Sequence, residues 1–217
     1  MSGGLPRLAF VHLMRTAGTF VNAWMAAQYQ SCHQSFHNSW AQGLERDWTP
    51  SELRGFLRRT GSQYVHNHVL HWDGELVDEY RRHGFRVFTF VRHPGDQLCS
   101  LYNWLHERLG GEISLEEFLV AQLSSQSCME VSPADWAIPD YVHRLDEVFC
   151  YEAGIEAQLK LLLPRCVVGQ ATMGVVNGSS SPGFAVCCEQ GLISSTTAEL
   201  LNGSDHMLRY RRILQRK

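Results

Sequence analysis

The stretch Leu8 to Phe20, LAFVHLMRTAGTF, constrains the fold more than any other part of the chain. Leu8 to Leu13 is an apolar run without a breaker and reads as a buried strand. It gives way to a short polar turn, Arg15-Thr16-Ala17-Gly18-Thr19. From Phe20 to Tyr29 the apolar residues Phe20, Val21, Trp24, Met25 and Tyr29 recur at helical spacing. A strand that turns tightly into a helix N-terminus leaves backbone N–H groups pointing outward without partners. That arrangement accepts anions, phosphate above all. The turn lacks the Gly-x4-Gly-Lys-Ser/Thr pattern of nucleotide triphosphatases. It has one Gly, and Arg15 stands where a loop cation is expected.

Two features of composition bear on the partner. The net charge of −3 argues against nucleic acid as the main ligand. Among the cations there are seventeen Arg and only two Lys, Lys160 and Lys217. The seven Cys form no CxxC pair and no metal-finger spacing, which reads as buried free thiols rather than a disulfide framework. No run approaches the roughly 18 apolar residues of a membrane helix, and the N-terminus lacks a signal-peptide pattern.

The remaining chain alternates strands with helices. Ser31 to Asp47 has no clear period and reads as a loop or lid. Thr49-Pro50-Ser51-Glu52 is a helix start, with Thr as N-cap, and this helix ends by Gly61. Gln63 to His68 is a short strand, and Asp73 to His83 a helix stopped by Gly84. Phe85 to Val91, FRVFTFV, is the strongest strand signal in the chain. Gly95 to Leu109 continues as a helix, and Ser114 with Glu117 opens the next one. Ser124 to Pro139 is loop-like, Glu147 to Tyr151 a strand, and Ala153 to Leu163 a helix. Gly169 to Gly183 is irregular, and two helices, Ser194 to Asn202 and Asp205 to Gln215, close the chain. The expected fold is α/β: a P-loop-like three-layer arrangement with a central, mainly parallel sheet flanked by helices. At 217 residues it is expected to form one domain over 1–217.

A second constellation runs from Phe88 to Trp104, FTFVRHPGDQLCSLYNW. Arg92 falls at the carboxyl end of a strand, where open α/β sheets place their ligands. Ser100 follows on the next helix. A guanidinium and a hydroxyl on such a unit can grip one phosphate.

Together the two segments resemble the PAPS-dependent sulfotransferases, in particular the carbohydrate-type branch. The first loop there typically reads H-I-P-K-T-A-G-T; here it is His12-Leu13-Met14-Arg15-Thr16-Ala17-Gly18-Thr19. The second typically reads F-x-F-x-R-x-P-x-x-x-x-x-S-x-Y, matched by Phe88, Phe90, Arg92, Pro94, Ser100 and Tyr102. Weaker similarity covers Leu161 to Ser179 and Asp205 to Tyr210. The resemblance implies that Arg15, Thr16, Ala17, Gly18 and Thr19 hold the 5′-phosphosulfate of PAPS (3′-phosphoadenosine 5′-phosphosulfate). It implies that Arg92 and Ser100 hold the 3′-phosphate, that PAP is the product and that no metal takes part. At residue 15 the family usually has Lys, close to the oxygen bridging phosphate and sulfate. Arg keeps the charge but is a planar fork rather than a point charge.

The third constellation is Tyr64 to His71, YVHNHVLH. On a strand, His66 and His68 share a face. A metal pair completed by His71, a structural pair and a general base are the competing readings. Some carbohydrate sulfotransferases carry a similar H-G-H segment with His as the base, which favours His68 first and His66 second.

The expectation is therefore a metal-independent sulfotransferase. His68 or His66 takes the acceptor proton, the oxygen attacks sulfur in line, and Arg15 with the N–H groups of Thr16 to Thr19 stabilises the leaving phosphate. The acceptor is a hydroxyl of a carbohydrate or small molecule, with its pocket expected from segments 31–47, 66–75 and 124–140. The short chain, with no membrane anchor, leads us to expect a soluble cytoplasmic enzyme, with a bacterial source open. Two alternatives keep the same loop. One is a non-catalytic protein binding PAP, another nucleotide or a sulfated glycan; the other is a P-loop phosphotransferase.

Overall fold

A computed structural model describes residues 5–29, 33–35, 49–68, 74–110, 112–129, 131–133, 136–163 and 182–216, with the backbone alone at 33–35, 67 and 68. Five strands among these residues form one sheet: β1 (Arg7–His12), β2 (His33–Ser35), β3 (Tyr64–His68), β4 (Phe85–Val91) and β5 (Glu147–Cys150). Their spatial order is β2-β3-β1-β4-β5, and every neighbouring pair is parallel. The helices are α1 (Gly18–Gln28), α2 (Pro50–Thr60), α3 (Gly74–Arg82), α4 (Pro94–Leu109), α5 (Leu115–Leu123), α6 (Ile155–Leu162), α7 (Phe184–Glu189), α8 (Ser195–Gly203) and α9 (Asp205–Gln215).

The inner strands β1 and β4 are largely apolar because both faces of the sheet are covered there. Leu8 and Phe10 of β1, Tyr64 of β3 and Phe88 and Phe90 of β4 face one layer, where α1 contributes Val21, Trp24 and Met25 and α6 contributes Leu159 and Leu162. Phe10 stacks on Phe88 at 5.1 Å, and Phe90 packs on Phe149 of β5 at 5.2 Å. The intervening residues, Ala9, Val11, Val65, Val87 and Val91, face the other layer. There they meet Leu53 and Leu57 of α2, Val77 and Tyr80 of α3, and Leu98, Leu101 and Leu105 of α4. Helix–sheet–helix layering thus follows from the two-residue alternation of strand side chains.

Helix boundaries follow local chemistry. Thr49 caps α2 in a reciprocal box with Glu52, and Ser114 caps α5 in the same way with Glu117. Gly84, at φ 76°, turns the chain from α3 into β4 in a conformation that a side chain resists. Two elements differ from the sequence expectation. The stretch read as a loop or lid carries β2, a three-residue edge strand paired to β3. The six-residue α7 lies where no element was expected; the Phe184 N–H that begins it donates to Asp96 Oδ1 of α4 at 2.7 Å. Most of the Gly/Ser-rich stretch before α7 lies outside the described residues. The five described cysteines, Cys99, Cys128, Cys150, Cys187 and Cys188, are free thiols. No described helix is long and apolar enough to cross a membrane.

Candidate functional site

The strand order fixes where a ligand can sit. After β1 the chain leaves toward β2 and β3 on one side; after β4 it leaves toward β5 on the other. β1 and β4 are neighbours, so a crevice opens beyond their carboxyl ends, where connections diverge. The two motifs follow β1 and β4, so both arrive at this crevice.

Between β1 and α1 the turn is wound tightly. Arg15 and Ala17 both adopt the left-handed region, at φ 60° and 64°, which for residues with a Cβ stores of order 1 kcal/mol or more each. Thr16 between them is fully buried, and its hydroxyl donates to the Leu13 carbonyl at 2.7 Å. That hydroxyl is therefore spent on holding the turn. Ala17 is the N-cap of α1 and supplies no side-chain acceptor, and the first turn carries no acidic residue. The leading N–H groups of α1 therefore remain suited to an external anion. Thr19 is exposed in this first turn.

Gly18 has a steric reason to be Gly. A Cβ there would lie 1.7 Å from His12 Nε2 and 2.1 Å from two further atoms of the same ring. The His12 imidazole thus lies flat against the start of α1. It is half-buried at the end of β1 and stacks on Phe10 at 5.5 Å. His12 belongs to the quoted motif, yet its sequence position alone gave it no role. The cue available was its place as the last strand residue before the turn.

The second motif brings charge to the same place. Arg92, just past β4, donates from Nη1 to the Arg15 carbonyl at 3.3 Å, and its guanidinium lies 4.7 Å from the Tyr151 ring centroid. Ser100, at the end of the second turn of α4, is buried and accepts a hydrogen bond from Arg15 Nε at 3.2 Å. The Arg15 guanidinium also lies 5.9 Å from the Trp104 ring, which Arg108 approaches at 5.4 Å. Burial, then the like charge of Arg92, pulls the Arg15 pKa below its ordinary value, with Glu107 and Tyr151 acting in the opposite sense. Gln97 of α4 fastens the assembly: its amide donates to the Met14 carbonyl at 2.7 Å and to the Trp136 carbonyl at 2.9 Å. Sequence reasoning gave Gln97 and Tyr151 no part; nothing in their spacing distinguishes them from ordinary helix and strand-end residues.

The imidazoles of the third constellation divide. His66 is 5% exposed and stacks on Tyr64 at 6.3 Å, within the layer under α1. His68 ends β3, with its Cα paired to that of His12 across the parallel ladder; its side chain, like all of His71, lies outside the described residues. So do 36–48 and 69–73, which make up most of the first two segments expected to form an acceptor pocket. Trp136, within the third, is buried, and its indole N–H donates to Gln122 Oε1 at 2.7 Å.

The structure thus has the three-layer α/β architecture with an anion-suited β1–α1 turn at its switch point. The chain is similar to mouse sulfotransferase SULT7A1 complexed with PAP, at 14% identity and a TM-score of 0.42, over 73% of this chain and 58% of that one. No protein-family model matches the sequence, and no curated protein matches it.

Proposed function

We propose that this protein is a sulfotransferase that moves a sulfuryl group from PAPS to an acceptor hydroxyl on a carbohydrate or small molecule. The observation that carries the proposal is the meeting of Arg15, Arg92 and Ser100, from two separate motifs, at the switch-point crevice beside an uncapped helix start. Motif resemblance alone does not require those residues to touch.

In the proposed reaction the N–H groups from Thr16 to Thr19 hold the 5′-phosphosulfate, and Arg92 with Ser100 holds the 3′-phosphate. Anchoring both ends aligns the sulfur for in-line attack. As the acceptor oxygen bonds to sulfur, the bond from sulfur to the bridging oxygen breaks and PAP leaves with that oxygen. The charge growing on it meets donors already oriented by the turn. His68 takes the acceptor proton: it ends the strand beside β1, whereas His66 is buried one step below. No step assigned to these residues needs a metal.

The test is incubation with labelled PAPS or labelled ATP and a panel of acceptor alcohols and sugars, with and without EDTA. EDTA-insensitive sulfate transfer supports the proposal. Metal-dependent phosphate transfer replaces it with a phosphotransferase, and PAP binding without transfer with a non-catalytic binder. Arg92→Ala should weaken PAP binding about 10- to 100-fold, the loss of one or two charge-assisted hydrogen bonds. Unchanged PAP affinity in that variant removes Arg92 from the nucleotide site.

A further inference from the structure

Arg15 reaches away from its own turn. The left-handed backbone at φ 60° turns its side chain across to α4, where Nε meets Ser100 Oγ at 3.2 Å and the guanidinium lies 5.9 Å from the Trp104 ring. Arg92 reaches the same turn from β4 and donates to the Arg15 carbonyl at 3.3 Å. Neither guanidinium has a carboxylate partner among the described residues. Burial and the neighbouring charge of Arg92 both disfavour the charged form of Arg15. Burial and Arg92 outweigh the opposite influence of Glu107 and Tyr151 on Arg15, so positive charge is in excess at this turn, and an anion bound by both guanidinium groups offsets it. The more negative the anion, the better it fits. A terminal phosphomonoester carries about −1.5 to −2 near pH 7.

Geometry and charge therefore favour the phosphate that Arg92 and Ser100 receive, not the one at the helix start. A guanidinium can bond Ser100 through Nε and still present its Nη groups to a phosphate; a lysine ammonium has no such fork. Resting on the nucleotide reading given above, we infer that Arg15 binds the 3′-phosphate jointly with Arg92 and Ser100. It is thus a specificity residue for nucleotides that carry that phosphate, and not the cation at the phosphosulfate. The 5′ end is left to the backbone N–H groups of the turn and to the imidazole at Gly18.

The experiment compares two probes, PAP and adenosine 5′-phosphate, which differ by the 3′-phosphate alone. Dissociation constants are measured by calorimetry for the unaltered protein, Arg15→Gln and Arg15→Lys. We expect Arg15→Gln to weaken PAP about 10- to 100-fold, as for a lost charge-assisted hydrogen bond, and to leave adenosine 5′-phosphate essentially unchanged. Arg15→Lys should recover part of the loss. Weakening of both nucleotides by the same factor overturns the inference and returns Arg15 to the 5′ end or to a structural role, with the nucleotide reading intact. Absence of any preference for PAP in the unaltered protein overturns both. Should Arg15→Gln fail to fold in a thermal melt, the lysine variant decides alone: a reduced preference for PAP supports the inference, and an unaltered preference overturns it.

Discussion

His12 and Gly18 are six residues apart and act as one unit. The ring occupies the space that a side chain at residue 18 would need, with Nε2 1.7 Å from the ideal Cβ position. Gly18→Ala should therefore cost about 1–3 kcal/mol, the usual range for overpacking a filled site. The cost should shrink in the His12→Ala background, because the clash partner is gone. Thermal or urea unfolding of the two single variants and the double variant measures this coupling; equal Gly18→Ala costs in both backgrounds would show that the ring moves aside freely. The pair also marks what the sequence could and could not reveal about the site. Arg15, Arg92 and Ser100 were legible as candidates for an anion site because the strand–turn–helix pattern and the residue types point to anion binding. The Arg15–Ser100 bond was not legible, because the chain folds 85 residues back on itself to make it. Gln97 and Tyr151 were hidden for the same reason: a glutamine amide bridging two carbonyls, or a ring under a guanidinium, leaves no local signature.

Between elements, the α2–α3 contact is governed by one buried carboxylate. Glu79 of α3 is 1% exposed, accepts from Arg54 of α2 at 2.8 and 3.2 Å and from Arg82 at 2.9 Å, and lies 3.2 Å from the His83 ring. The hydrogen bond from Arg54, ahead of that from Arg82 and against the opposing effect of burial, lowers its pKa from 4.5 to about 2. The folded value lies below the unfolded one, so the contribution is complete above the unfolded pKa and is lost as pH falls toward 2. Glu79→Gln should lower stability by about 1–3 kcal/mol at pH 7. Its unfolding free energy should also fall less steeply than that of the unaltered protein between pH 4.5 and 2. Parallel acid-titration curves for the two proteins would exclude Glu79 as the source. Elements of this size were readable wherever local chemistry agrees with the fold, as in the boxed starts of α2 and α5 and the apolar run of β4. β2 and α7 escaped because tertiary contacts make them. The polar His-Gln-Ser strand exists through its pairing with β3, and α7 is fixed by Asp96 and by packing of Phe184 against Gly95.

At the scale of the whole molecule, the order β2-β3-β1-β4-β5 makes the ligand a bridge. One anchor follows β1, and the others belong to the β4–α4 unit, so a nucleotide bound as proposed ties the two diverging halves of the sheet together. Ligand that binds only the folded state adds RT ln(1 + [L]/Kd), about 2.7 kcal/mol at a hundredfold excess over Kd. For a chain of this length each kcal/mol raises the melting temperature by about 2–4 °C. Saturating PAP should thus raise the midpoint by about 5–11 °C at that excess, combining the two. The shift should be concentration-dependent, larger for PAP than for adenosine 5′-phosphate, and strongly reduced in Arg92→Ala. Differential scanning fluorimetry over a PAP titration reads all three. A PAP-induced shift that survives intact in Arg92→Ala would place the nucleotide elsewhere on the molecule, because no ligand held at this crevice can be indifferent to the cation at the carboxyl end of β4.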